Sequence, residues 1–179
     1  MTDPFDVLGI EPRFRLDLES VGARHRDLSR ALHPDRYVGR PANERRLALS
    51  RAIEVNQAFG IVRDPVRRAQ ALLARHGVSV PEGSEPPAEP TFLMRMLELR
   101  EELAALVATK DVSALERFIE RAEADEAGAV EALAAGFAEL ERRAEPPPEI
   151  TGELVRRLGE LRYYRRLLGE ARAARDEIE

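Results

Sequence analysis

His33 and Asp35 stand on either side of Pro34. An imidazole and a carboxylate so placed could exchange protons with a substrate, or could make a polar contact with another protein. Acid-base catalysis needs a convergent second set of groups, and the chain offers no nucleophile motif or glycine-rich phosphate loop around which one could form. A di-iron carboxylate bundle fares worse. It needs Glu-x-x-His pairs on facing helices, and all three histidines, His25, His33 and His76, precede the proline-rich stretch that begins near residue 78.

Two helices must hold this tripeptide. Residues 17–32 read as the first: at about 100° per residue Val21, His25, Leu28 and Leu32 fall on one apolar face, with Arg26 and Arg30 opposite. Asp17 is its N-cap, able to accept from amides of the first turn. Pro34 cannot continue the helix and biases His33 away from the α region, so the chain turns there. A second helix over residues 43–62 runs through Leu47, Leu49, Ile53, Ala58, Phe59 and Val62; Asp64-Pro65 opens a third, which Gly77 ends. The expected unit is a long antiparallel hairpin with His33, Pro34 and Asp35 at its turn. Arg24, Arg26, Arg30 and Arg36 form a local basic face on a chain of net charge -5. Such a face suits an acidic partner surface, although a merely solvated face uses the same residue types.

The segment 78–90 contains Pro81, Gly83, Ser84, Pro86, Pro87 and Pro90, which predicts an extended, semi-rigid connector. The reading is therefore three parts: 1–77, the connector 78–90, and 91–179. The last part divides into helical segments over about 91–109, 113–143 and 151–178, broken at Lys110-Asp111 and at Pro146-Pro147-Pro148. Short breaks favour antiparallel neighbours and a three-helix bundle. In the first bundle helix Phe92, Met96, Leu99, Leu103, Leu106 and Val107 gather in one arc, the core face. A second arc holds Leu93, Met94, Leu97, Glu98, Glu101 and Ala105. Since a three-helix bundle cannot surround any one helix, that mixed apolar and acidic arc is expected to meet a partner.

Composition excludes several classes. The 179 residues are 44% hydrophobic and 34% charged with only 5% aromatic, a balance that fits an all-α chain with heavily solvated helices. Lys110 is the only lysine. There is no cysteine, so neither a disulfide framework nor a cysteine-ligated cluster can form within this chain, and no cofactor is expected in it. No apolar run approaches about 18 residues and the first residues carry Asp3 and Asp6 without a basic stretch, so a cytoplasmic protein is expected and no membrane partner. Neither is nucleic acid, because no basic tract with interleaved aromatics appears.

Asp6-Val7-Leu8-Gly9, His33-Pro34-Asp35, Val55-Asn56-Gln57-Ala58-Phe59 and Arg68-Ala69 together resemble the DnaJ-type J-domain over roughly the first 76 residues. In the second half Phe92-Leu93-Met94, the run from Leu97 to Leu103, Lys110-Asp111, Leu115-Glu116 and Phe118-Ile119 resemble the C-terminal domain of the HscB-type iron-sulfur co-chaperone. The resemblance implies an N-terminal J-domain and a C-terminal scaffold-binding bundle. It further implies that the chain carries an IscU-type cluster-assembly scaffold to a DnaK/HscA-type chaperone and stimulates the chaperone's ATPase, with the partner holding any metal. His33, Pro34, Asp35 and the basic face would meet the chaperone. Leu93, Met94, Leu97, Glu98 and Glu101 match the family's scaffold contacts, and Tyr163 falls where the family has another aromatic contact. Ala105 departs from the pattern, which usually has a further acid there. A J-domain co-chaperone with a different client would share the first half of this mechanism only.

Overall fold

A computed structural model of the chain describes residues 2–81, 83–84, 88–143 and 147–178. Among these residues there are seven α-helices, one 3₁₀ turn and no strand: the fold is all-α. The chain divides into two compact units, Met1–Ser79 and Val80–Glu179.

The first unit holds α1 (Pro4–Leu8), α2 (Leu18–Ala31), α3 (Ala42–Arg63) and α4 (Pro65–Arg75), with the 3₁₀ turn Pro34–Tyr37 between α2 and α3. The short α1 has no counterpart in the sequence expectations. Five residues are too few for a periodicity to show, but its ends are well specified. Asp3 caps it by accepting from Phe5 N at 2.8 Å, Pro4 occupies its first turn, and Gly9 ends it at φ 63° in the left-handed region. Asp17 caps α2 as expected, accepting from Glu19 N and Ser20 N; the Ser20 hydroxyl also bonds it and holds its carboxyl below the usual range.

Helix α3 is the hub of this unit, since α1, α2, α4 and the 3₁₀ turn all pack on it. Its buried stripe is Ala48, Val55, Ala58 and Val62. Leu47, Leu49 and Ile53, read from the sequence as part of the helical apolar pattern, are exposed at 61%, 54% and 49%. The periodicity was real but these three lie off the arc centred on Val55 and Val62, and small alanines are what allow the neighbouring helices to approach. Arg68 of α4 is buried, donating to the Val62 carbonyl at 2.9 Å with its guanidinium 4.8 Å from the Phe14 ring. Burial pushes this guanidinium down from its ordinary value, partly offset by Asp64.

The second unit contains α5 (Pro90–Thr109), α6 (Val112–Glu141) and α7 (Pro148–Ile178). Asp111 caps α6 through Ala114 N at 2.9 Å, and Lys110 makes the turn before it at φ 54°. Helices α6 and α7 form a long hairpin around Leu133, Phe137, Leu140, Leu154, Leu158 and Leu161, all buried. Gly136 leaves room for Leu154, because a Cβ there would lie 2.7 Å from Leu154 Cδ2. Helix α5 closes the other half of the hairpin, where Met96, Leu99 and Leu103 meet Leu115, Phe118, Ile119, Leu167 and Leu168.

Part of the proline-rich segment is built into this unit. Val80 is buried, and Arg162 of α7 donates to the carbonyls of Ser84 at 2.8 Å, Pro81 at 3.3 Å and Val80 at 3.4 Å. Pro86 and Pro87, and Pro146 of the second break, lie outside the described residues. The guanidinium thus substitutes for the ladder partners that irregular backbone lacks. Arg162→Ala should lower stability by about 1 to 3 kcal/mol. It should also speed protease cleavage between Val80 and Ser84, read by thermal melts and timed proteolysis against the parent.

Candidate functional site

The chain carries two groups of candidate residues, one in each unit. In the first, His33 is the N-cap of the 3₁₀ turn with φ -60° and ψ 134°, the extended conformation that a following proline enforces. Its Nδ1 accepts from Asp35 N at 3.3 Å, and the Asp35 carboxylate lies 3.4 Å from the same nitrogen. Both side chains are exposed, at 58% and 85%. Pro34 and Arg36 are exposed beside them. The turn is positioned by the helix pair: His25 of α2 stacks on Phe59 of α3 with centroids 4.2 Å apart, and its Nε2 sits 2.8 Å from Asn56 Oδ1. His25 is therefore part of the packing, as its place on the apolar face implied.

The basic residues differ in their contacts within the chain. Arg26, Arg30 and Arg36 are exposed, with Arg30 paired to Asp27 at 3.2 Å. Arg24 is different. Its Nε donates to the Leu8 carbonyl at 3.1 Å, tying α2 to the end of α1, and a Cβ at Gly9 would meet its guanidinium at 3.0 Å. On the helical wheel Arg24 falls beside Val21 and Leu28 rather than with Arg26 and Arg30, so the signal separating it was available in the spacing. The contact with Leu8 supports the fold, and Arg24 stays exposed on α2, the helix that enters the turn.

In the second unit, α5 presents two faces of opposite fate. Met96, Leu99 and Leu103 are buried to 5%, 4% and 7% exposure, whereas Leu93, Met94 and Leu97 are 43%, 59% and 51% exposed. Glu98 and Glu101 are exposed on the same side, and Ala105 adds no charge. Glu98 pairs with Arg95 at 3.8 Å. Tyr163 of α7 is half-buried at the edge, its ring 5.8 Å edge-on from Phe92, with the Arg166 guanidinium 4.7 Å over its face. Tyr164 also meets Phe92, at 5.6 Å, and burial raises its phenol. Lower on the same helix burial raises Glu160 despite the opposing pull of Arg156, whereas hydrogen bonds from Arg156 hold Glu153 down. Arg166, Arg95 and Arg100 were not singled out from the sequence, since an arginine every few residues is the background in this chain. Among the described residues no group of three His, Asp or Glu side chains is arranged to hold a metal ion.

These two surfaces can be set beside known proteins. Residues 88–172 match the family described as the HSCB C-terminal oligomerisation domain. The whole chain superimposes on the chaperone HscB from Vibrio cholerae with TM-score 0.82 and 26% identity, covering 99% of this chain and 100% of that one. The second unit is thus similar to the C-terminal domain of HscB, and the chain as a whole shares the HscB fold. The human co-chaperone HscB shares the fold at TM-score 0.83 and 21% identity, over 97% of this chain and 82% of that one.

The exposed stripe and the buried stripe of α5 separate folding from recognition. Leu99→Ala or Leu103→Ala should each cost about 2 to 5 kcal/mol through the cavity left behind. Leu93→Ala with Leu97→Ala should shift the melting temperature by far less, and equal losses would show that the exposed stripe is internal packing.

Proposed function

We propose that this chain is an HscB-type J-domain co-chaperone of iron-sulfur cluster assembly: it binds an IscU-type scaffold and delivers it to a DnaK/HscA-type chaperone, whose ATPase it stimulates. The observation that carries the reading is the apolar and acidic stripe of Leu93, Met94, Leu97, Glu98 and Glu101, left exposed on a helix whose other face is fully used by the bundle. Apolar anchors ringed by charge are what a reversible protein-protein contact requires. Tyr163 extends the stripe across the seam to α7.

The first unit supplies the other contact. His33 and Asp35 project from the turn with exposed side chains, in the same unit as the cations of Arg24, Arg26, Arg30 and Arg36. An acidic chaperone surface would be drawn to that face and seated by the turn. One chain joining the two contacts raises the scaffold's local concentration at the chaperone without any further interface. On this reading the chain performs no covalent chemistry, and the hydrolysis and the cluster belong to its partners. A cytoplasmic location is part of the same proposal; among the described residues no helix is long and apolar enough to cross a membrane.

His33→Gln or Asp35→Asn should abolish stimulation of the chaperone ATPase while helix content and scaffold binding persist, because an exposed turn contributes little to the core. Normal stimulation by both variants would remove the J-domain role, and failure of the parent chain to bind an IscU-type scaffold by calorimetry would point to another client.

Reversing Arg26 and Arg30 to Glu should slow association with the chaperone at least several-fold at low salt, with the gap closing as exposed charges are screened beyond about 8 Å at physiological ionic strength. Stopped-flow rates across a salt series measure this.

A further inference from the structure

The exposed stripe begins at the very start of α5, since Leu93 and Met94 stand within about one turn of Pro90. A helix start is its least secure part, because its leading amides have no partner inside the helix and need a cap. Elsewhere this chain supplies one. Asp3, Asp17, Asp64 and Asp111 each accept from an amide of the turn that follows, at the starts of α1, α2, α4 and α6. At the start of α5 stands Glu89, longer by a methylene, and its side chain makes no such bond. Pro90 has no amide proton, so Thr91 and Phe92 hold the amides that a cap would serve.

A side chain does what the missing cap would do. From Pro90 to Arg95 every residue is exposed except Phe92. Its ring meets Tyr163 at 5.8 Å and Tyr164 at 5.6 Å between centroids, with interplanar angles of 68° and 78°. In that edge-on geometry the positive rim of one ring faces the negative face of the other. The next buried residue of α5 is Met96, a full turn further on. Phe92 therefore fastens the segment that carries Leu93 and Met94, whereas Leu97 lies between Met96 and Leu99 and is held by the core.

We infer that Phe92, seated against Tyr163 and Tyr164, is a positioning residue for the scaffold contact: it keeps the uncapped first turn of α5 wound, so that Leu93 and Met94 meet the scaffold already in place. This rests on the scaffold-binding reading above. A frayed turn must be wound at the moment of binding, and each residue so ordered subtracts from the free energy that the apolar anchors supply. Two of the three apolar anchors lie in the part that would fray. An aspartate cap and an aromatic clamp are alternative ways of securing the same turn, so one can be exchanged for the other.

The test uses the full chain and an IscU-type scaffold protein as probe, read by calorimetry and by amide hydrogen exchange. Phe92→Leu keeps an apolar side chain against α7 but loses both ring contacts. It should weaken scaffold binding about five- to tenfold and speed exchange at Leu93 to Arg95, while amides near Leu103 keep the parent's protection. Tyr164→Leu, which changes no residue of α5, should do the same. Adding Glu89→Asp to Phe92→Leu supplies a cap without changing charge, and it should recover most of the affinity and the slow exchange. Added to Leu93→Ala, where a contact rather than order is lost, it should recover nothing. Binding by Phe92→Leu within about twofold of the parent overturns the inference. So does a loss of affinity that persists once the cap has returned exchange to the parent's rate, since Phe92 would then touch the scaffold itself. A parent chain that binds no scaffold is a separate failure, that of the functional reading, and it takes the positioning role with it.

Discussion

A helix in a three-membered bundle can hide only part of its circumference, and α5 has apolar residues on more than that part. The consequence is visible in consecutive residues: Met96 is buried at 5% exposure and Leu97 stands 51% exposed beside it. The core face satisfies the hairpin of α6 and α7, so the outer face has nothing left to pack on within its own bundle. Leucine and methionine kept in water at three positions confer nothing on the fold, and this is why the surface reads as a place for another protein. The acidic residues among them keep the stripe solvated while it is empty.

The first unit works by a different constraint. Its candidate contact is a turn of four residues held by caps and by the proline rather than by a core. Such a turn is only as well placed as the helices that enter and leave it, and α3 does that placing through the His25 stack and the close alanine packing. Arginine serves here in two ways. Arg24 and Arg68 close gaps between helices by donating to carbonyls, and Arg68 lays its flat guanidinium on Phe14, which a lysine ammonium could not do as well. Arg24, like Arg26, Arg30 and Arg36, is nonetheless exposed, where charge can act at a distance.

The second unit also takes up part of the segment that composition marks as an extended connector. Arg162 gathers three carbonyls and so holds Val80, Pro81 and Ser84 against α7. Proline and glycine there remove regular hydrogen bonding, and a side chain from elsewhere in the sequence supplies it.

Local chemistry determined much of this protein. The caps at Asp17 and Asp111, the break at Pro34, the turn at Lys110 and the two arcs of α5 follow from residues within a few positions of one another, so periodicity and steric rules reach them directly. His33, Asp35, Leu93, Met94 and Leu97 were legible for the same reason, because exposure on a bundle helix or at a proline-broken turn is a local property. Other assignments depend on which helices become neighbours. Arg24 against Leu8, Arg162 against Ser84 and Arg166 over Tyr163 beside α5 join groups that no spacing rule brings together, and the outward fate of Leu49 and Ile53 depends on which side of α3 receives α1, α2 and α4. A helical sequence states which of its residues share a face; only packing decides which face is covered, since burial is shared among elements far apart in the chain.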